Sequence, residues 1–471
     1  MGSTVFDRRP PSPAAVEHAL AGSTHGVFWL ADHPGSRFDP LTADARVDLL
    51  VIGGGYTGLW TALQAKECDP HLRIMVVDGG TVGWAASGRN GGFCESSLTH
   101  GHDNGMSRWP EEMPQLLRLG HENIRGIVDT IDRYGMDVDL VESGLVKLAI
   151  EPHQVEWLET RPRDDRHVFL DRDAMASEIA SPTYLAGYWD KDENVLVHPA
   201  KLVAELARTV SELGVTICER TPVRGLDARP TEVRARTAGG TITADRAVLA
   251  TNAFPSLLTR NRLMTVPVYD YVLATEPLST AQLDAIGWRN RQGLSDLANQ
   301  FHYYRMTADD RIVYGGYDAI YHAGRTVRRE FDDRPETHRK LAAHFLTTFP
   351  QLEGIRFEHR WGGVIDANTR FCAHFGTAHH GRVACAAGFT GLGVAASRFA
   401  GAVMLDLLSG RPTELTELQM VRERPLPFPP EPLAAIGINA TRWAMDRADR
   451  NGGRRNLMLR TLDRLGLGFT S

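Results

Sequence analysis

Apolar residues fill five of the six positions 47–52: Val47, Leu49, Leu50, Val51 and Ile52. That density predicts a strand buried on both faces, as in a parallel sheet. The run enters Gly53-Gly54-Gly55-Tyr56-Thr57-Gly58 and then residues 59–67, which hold no Gly or Pro and predict a helix. A second apolar strand over 74–77 ends at Asp78 and Gly79. Gly53, Gly55 and Gly58 have GxGxxG spacing, which serves a tight turn, close approach of backbone to phosphate, and close packing of helix on strand. Tyr56 and Thr57 belong to the turn expected to hold the cofactor, and the N-terminal amides and dipole of the helix that follows favour a pyrophosphate. Asp78 lies twenty residues after Gly58, where a carboxylate accepts hydrogen bonds from a ribose 2′-hydroxyl and repels a 2′-phosphate. Strand, turn, helix, strand and acid in this order predict a dinucleotide site.

Three further stretches bear on which dinucleotide it is. Residues 83–92 are too rich in Gly and small side chains to bury a core. Such a loop is either a flexible surface segment or a close neighbour of a flat ring, offering backbone N–H groups from Ser87, Gly88, Gly91 and Gly92 with Arg89 and Asn90 as donors. Residues 247–254 predict a buried strand ending in the small polar Thr251 and Asn252. Residues 383–394 predict a strand and a turn through Gly388, Thr390, Gly391, Leu392 and Gly393, followed by a small-residue helix whose N-terminus favours partial negative charge. One nicotinamide nucleotide does not need all three; a flavin, held along its whole edge, does.

The periodicity organises the rest as an α/β fold with two interleaved domains. A nucleotide domain is expected over 44–109, 196–258 and 356–424, and a substrate domain over 110–195 and 259–355. A lead of 43 residues precedes them, with a short helix at 13–21. Helices are expected at 110–134, 199–213 (opened by Pro199) and 334–349, and a strand at 356–361. Alternation over 265–321 predicts an antiparallel sheet. The proline-rich 425–432 is a stiff connector to a basic amphipathic helical tail at 433–464, which is expected to pack on the body or on a second subunit.

Composition changes the picture little. The chain has 471 residues, 42% hydrophobic and 23% charged, with net charge −6, and this gives no reason to expect nucleic acid or an anionic membrane as partner. No apolar run reaches transmembrane length, and residues 1–12 lack the apolar core of a signal peptide. Five cysteines without a CxxC pair argue against disulfides and zinc, so a cytoplasmic protein with no metal is expected.

The chain resembles the FAD-dependent amine and amino-acid oxidoreductases of the D-amino-acid oxidase / glycine oxidase superfamily. Within it the chain is most similar to the γ-glutamylputrescine oxidase-like and aminophosphonate oxidoreductase-like branch. The resemblance rests on GGGYTG (53–58), ASGRNGGF (86–93), HPAKL (198–202), LATNAF (249–254), HYYRMTADDRIVYGG (302–316), RWGG (360–363) and GFTGLG (388–393). It implies a glutathione-reductase-type FAD-binding domain with an inserted antiparallel substrate domain. It further implies that Gly53, Gly55, Gly58 and Asp78 hold the ADP half of FAD, that residues 87–92 line the isoalloxazine, that Gly363 also binds the cofactor, that Val223 contacts the adenine side, and that residues 388–393 face the pyrimidine edge. Hydride arriving at N5 leaves negative charge at N1/O2, which amides at a helix start stabilise.

Hydride transfer from a neutral amine needs a shaped pocket more than acid–base groups. Phe93, Tyr271, Tyr303 and Trp361 are candidate walls, with His302 and Tyr304 expected to point together at the ring as catalytic residues and Tyr303 opposite. Each of these aromatics is equally read as sheet packing. Arg305 and Arg325 are candidates for binding a substrate carboxylate or phosphonate, although a surface arginine is the plainer reading of each. After Trp361-Gly-Gly363, glycine-oxidase-like relatives carry an arginine that clamps the substrate carboxylate; here Val364-Ile365-Asp366 stands instead. That points to an amine whose acidic group is distant or absent, with Asp366 either pairing with a cationic substrate or capping a turn. Ser87 stands near the place where some relatives link flavin to histidine, so non-covalent FAD is expected, Cys94 being the alternative anchor. No lysine lies between Lys201 and Lys340 to assist O2 as in sarcosine-oxidase-like relatives, so O2 or another acceptor remains open. A small-molecule amine is the expected partner, with a monomer or homodimer as the assembly. The competing readings are an NAD(P)H-dependent flavoprotein hydroxylase or reductase, and a non-catalytic flavin-binding protein.

Overall fold

In the computed structural model, which describes residues 2–468, the apolar run becomes the strand Ala45–Ile52. It pairs in parallel with Thr241–Leu249 on one side and with Ile74–Val77 on the other, beyond which lies Thr216–Cys218. The strand Val383–Ala387 joins in parallel beside the second half of Thr241–Leu249, while Val233–Arg236 pairs antiparallel along its first half. Helices Tyr56–Cys68, Pro199–Glu212 and Gly393–Ser409 cover one face and bury Leu59, Leu63, Leu206, Val210, Val403 and Met404 in one core. The other face closes over a smaller cluster that includes Leu50, Ile52, Val77 and Ile242. Strands buried on both sides must be apolar throughout, and that is why the first run was legible. The helix after the glycine turn begins at Tyr56 rather than 59, with Gly55 as its cap. Pro199 does open its helix, and the preceding His198 Nδ1 accepts the Lys201 N–H at 3.2 Å.

The larger sheet has ten strands, mostly antiparallel, built around Val266–Thr275. That strand pairs with Phe357–Ala367 on one side and with Ile312–Gly316 on the other, followed by His302–Met306. Helix Pro335–Thr348 packs on one face, in one core with Tyr269, Tyr271 and Tyr314, its Phe345 ring meeting Tyr314 at 5.6 Å. The strand expected at 356–361 runs on to Ala367, and it belongs to this sheet rather than to the nucleotide sheet. Its two glycines do not break it. A Cβ on Gly362 would lie 2.8 Å from the Asp332 carbonyl oxygen, so glycine stands where another backbone passes close. The tail forms two helices, Leu433–Asp449 and Leu457–Arg464, parted at Gly452 and Gly453 (φ +62° and +75°). It packs on the body, over the mouth of the cavity described next. No helix among the described residues is long and apolar enough to cross a membrane.

Candidate active site

The glycine turn and the small-residue loop are built against each other. Gly53 sits at φ +117°, and a Cβ on Gly58 would lie 1.9 Å from the Gly53 carbonyl oxygen, so strand and helix approach as closely as backbone allows. Asp78 follows the strand Ile74–Val77 and is already engaged. Its Oδ2 accepts the Gly54 N–H (2.8 Å), and its Oδ1 accepts the Gly80 N–H (2.7 Å) and the Trp84 indole N–H (3.1 Å). Ser87 Oγ accepts the Tyr56 N–H at 2.9 Å, joining loop to turn. Asn90 Nδ2 donates to the Ala86 and Ser87 carbonyls while its Oδ1 accepts the Gly92 N–H. Arg89 pairs with Asp332 at 2.5 Å and donates to the Trp84 and Gly362 carbonyls. The side chains of Arg89 and Asn90, expected as donors to a ring, are therefore spent on protein atoms. They hold the loop rigid and leave its backbone to face the cavity.

That cavity, about 660 Å³, lies between the loop, the larger sheet and the tail. Tyr56, Thr57, Ser87, Arg89, Asn90 and Gly91 line it from the nucleotide side, together with Asn252. Gly363, Thr390, Gly391, Leu392 and Gly393 close the far edge. Gly388 (φ +80°) turns the chain there, and Asp366 caps the turn by accepting the N–H groups of Gly388 and of Phe389 (3.1 Å). Asp366 is thus a buried cap, its carboxyl pushed up to about 7 by that burial, and the blander of its two readings holds. The Cys94 thiol is buried too and pushed up to about 12, so it offers no thiolate for a covalent link. Thr251 borders a separate cleft of about 190 Å³ that shares Asn252 with the main cavity. Gly79 and Val223 lie at the outer end of the nucleotide sheet near Asp78, outside the main cavity.

The substrate candidates divide by strand parity, and the expected parity is off by one. Tyr303 lines the cavity; His302 and Tyr304, on either side of it in the strand, face the opposite way. The ring of Tyr303 fits only because its neighbours lack side chains. A Cβ on Gly91 would lie 2.7 Å from its Cε2, and one on Gly315 would lie 2.6 Å from its Cζ. Tyr303 meets Phe93, also in the wall, edge to face at 5.8 Å. His302 is fully buried between Asp296 (2.7 Å) and His344 (2.9 Å), and Tyr304 bonds the Tyr184 hydroxyl at 2.9 Å. Neither touches the cavity, which corrects their expected catalytic role. Tyr271 likewise turns away and donates to the Phe331 carbonyl. Trp361 is buried with Phe28 and Trp29, its indole N–H on the Arg89 carbonyl at 2.9 Å. Arg305 is buried behind the loop, donating to the Val197 carbonyl at 2.6 Å, and binds no substrate group from there. Arg325 donates to the backbone carbonyls of Arg262, Thr265 and Pro429. His302→Ala is accordingly expected to lower stability by about 2–4 kcal/mol, through the hole and the stranded Asp296, with flavin reduction unchanged within twofold. Denaturation midpoints and stopped-flow flavin absorbance check the two halves.

Sequence reasoning missed three cavity groups. Asp270 lies opposite Gly363 in the sheet, and its Oδ2 accepts the Tyr303 hydroxyl at 2.6 Å. Burial pushes its carboxyl up to about 6 despite that hydrogen bond. Period-2 alternation along 266–272 placed it on the face of Val266, Val268 and Val272, a signal available once the cavity face was known. Glu95, two residues beyond Phe93, is the second. The tail is the third: Phe428, Leu433, Gly437, Ile438, Thr441 and Met445 form the roof.

The model of the FAD dependent oxidoreductase family DAO matches residues 48–407. Gamma-glutamylputrescine oxidoreductase of Escherichia coli (strain K12) is 30% identical over 386 residues, which is 79% of this chain and 86% of that protein. Among solved structures, glycine oxidase from Geobacillus kaustophilus superposes with TM-score 0.66 at 19% identity, covering 80% of this chain and 99% of that one. L-proline dehydrogenase from P. horikoshii does so with TM-score 0.64 at 17% identity, covering 79% and 96%. The roof of the cavity lies beyond the family match. The site fits the cofactor: the glycine cradle is one a Cβ would fill, and Asn252 Oδ1 is buried beside the cavity without a donor among the described residues. With the glycine turn, the self-locked loop and the Gly388–Gly393 turn all facing one cavity, the chain belongs to the DAO family of FAD-dependent oxidoreductases.

Proposed function

We propose that this enzyme oxidises the C–N bond of a primary or secondary amine to an imine, and that Asp270, with Tyr303, takes the proton that the amine must lose. One observation carries the assignment. Asp270 is a cavity carboxylate with no ion pair among the described residues, held by Tyr303 beside the loop at Gly91. Bound FAD supplies a hydride acceptor; the turn 53–58, Asp78 and the segment 388–393 are the residues to hold it. An alkylammonium titrates near 10, as lysine does, and in that form has no lone pair to drive hydride loss. A carboxylate at the wall both attracts the ammonium and accepts its proton, and Phe93 and Tyr303 flank the position. Once that proton has left nitrogen, loss of a hydride from carbon gives the protonated imine, which water hydrolyses to a carbonyl compound and ammonium. Val364 and Ile365 add apolar wall where a carboxylate clamp would need an arginine. Anaerobic bleaching of the flavin absorbance by amines without NAD(P)H is the expected result, and admission of air then separates O2 from another acceptor. Bleaching only with NAD(P)H would overturn the proposal.

A further inference from the structure

We infer that Glu95 is a subsite for a second positive group of the substrate, so that the enzyme prefers a dication, an amine at each end, to a monoamine. This rests on the amine-oxidation reading and adds a binding group to it. The strand Phe93–Glu95 pairs with Asn194–Leu196, and its side chains alternate: Phe93 and Glu95 face the cavity while Cys94 enters the core. Two residues along a strand span about 7 Å, so Glu95 stands roughly one short alkyl chain from the Phe93–Tyr303 wall. Its carboxylate makes no hydrogen bond and no ion pair among the described residues, although it faces the cavity. The ammonium whose field reaches Glu95 is committed elsewhere: Lys147 pairs with Glu193 at 2.9 Å. Lys147 therefore acts on both carboxylates but is bonded to Glu193 alone. Burial pushes the Glu95 carboxyl up to about 7, with Glu193 adding to the rise, which is the state that gains most from an incoming cation. The arginines in the wall do not supply it, since Arg89 is matched by Asp332 and Arg442 reaches Asp318 at 3.6 Å. The cavity is thus charged for a ligand carrying one cation at Asp270 and another at Glu95.

The test compares α,ω-diaminoalkanes of about three to six carbons, which span the strand distance above, with n-alkylamines of equal length. Binding to the anaerobic holoenzyme is read by calorimetry, and flavin bleaching is followed in the same samples. The best diamine is expected to bind at least tenfold tighter than its monoamine. Glu95→Gln, which keeps the side-chain shape, is expected to erase that ratio, and Glu95→Asp to restore part of it, with flavin content as the check on folding. Equal binding of the two series by the wild type, or a preference that survives in Glu95→Gln, would overturn the subsite. Absence of bleaching by every amine strikes instead at amine oxidation, so the two failures are distinguishable.

Discussion

Gly58→Ala is expected to yield a colourless protein. The added Cβ would lie 1.9 Å from the Gly53 carbonyl oxygen and 3.0 Å from Val51 Cγ1, and neither neighbour can swing aside. Gly53 cannot relax either, because its φ of +117° is already a conformation that other residues avoid. The helix Tyr56–Cys68 must instead move off the strand, lifting its first amides from the phosphate position. Forcing one extra carbon into a packed contact costs about 1–3 kcal/mol. Charged wholly to the holo state, that is roughly a ten- to hundredfold loss of FAD affinity. Gly55→Ala meets only Ser87 Oγ, at 2.7 Å, a side-chain atom that can rotate once it releases the Tyr56 N–H. The fold should tolerate that change better. The ratio of flavin to protein absorbance, with far-UV circular dichroism as control, measures both. A Gly58→Ala enzyme purified with full flavin would show that the turn does not hold the pyrophosphate.

The second large effect is expected at Asp270. Asp270→Asn keeps the shape and the Tyr303 contact but removes the proton acceptor, and positioned general bases contribute roughly 100- to 10,000-fold. Flavin reduction by amines should therefore slow at least 100-fold while flavin content holds. The sign of the pH dependence follows from burial, which raises Asp270 from its ordinary value to about 6. Below that pH the carboxyl is protonated and cannot accept, so kcat/KM should fall on the acid side of about 6 and the Asn variant should lose that limb. The Tyr303 hydroxyl favours the charged form, so Tyr303→Phe should move the limb to higher pH. A full reduction rate in Asp270→Asn would show that free solvent, not this carboxylate, takes the proton.

What could be read from the chain followed from backbone constraints that are local. The strands at 47–52 and 74–77 announce themselves because burial on both faces forbids polar residues, and the spacing of Gly53, Gly55 and Gly58 records a close approach no other residue permits. The flavin turn at 388–393 and the loop at 86–93 were visible for the same reason. Proline and glycine set most helix ends near the expected places, as at Pro199 and Pro335. Even so, the strand expected at 356–361 falls short of Ala367, because only the fold shows the Asp332 backbone lying against Gly362.

The substrate side was a different kind of problem. Alternation along 302–304 says that Tyr303 opposes His302 and Tyr304, but not which of the two faces meets the cavity. That depends on where helix Pro335–Thr348 packs, and it packs against Tyr269, Tyr271 and Tyr314, on the side of His302 and Tyr304. Asp270, Glu95 and the roof from the tail are brought to the wall from distant segments, by contacts no local pattern encodes. The sequence alone determined the cofactor and its cradle, since gripping a dinucleotide constrains backbone shape at fixed spacing. Only the tertiary structure decided which side chains meet the substrate, because a sheet has two faces and long-range packing chooses between them.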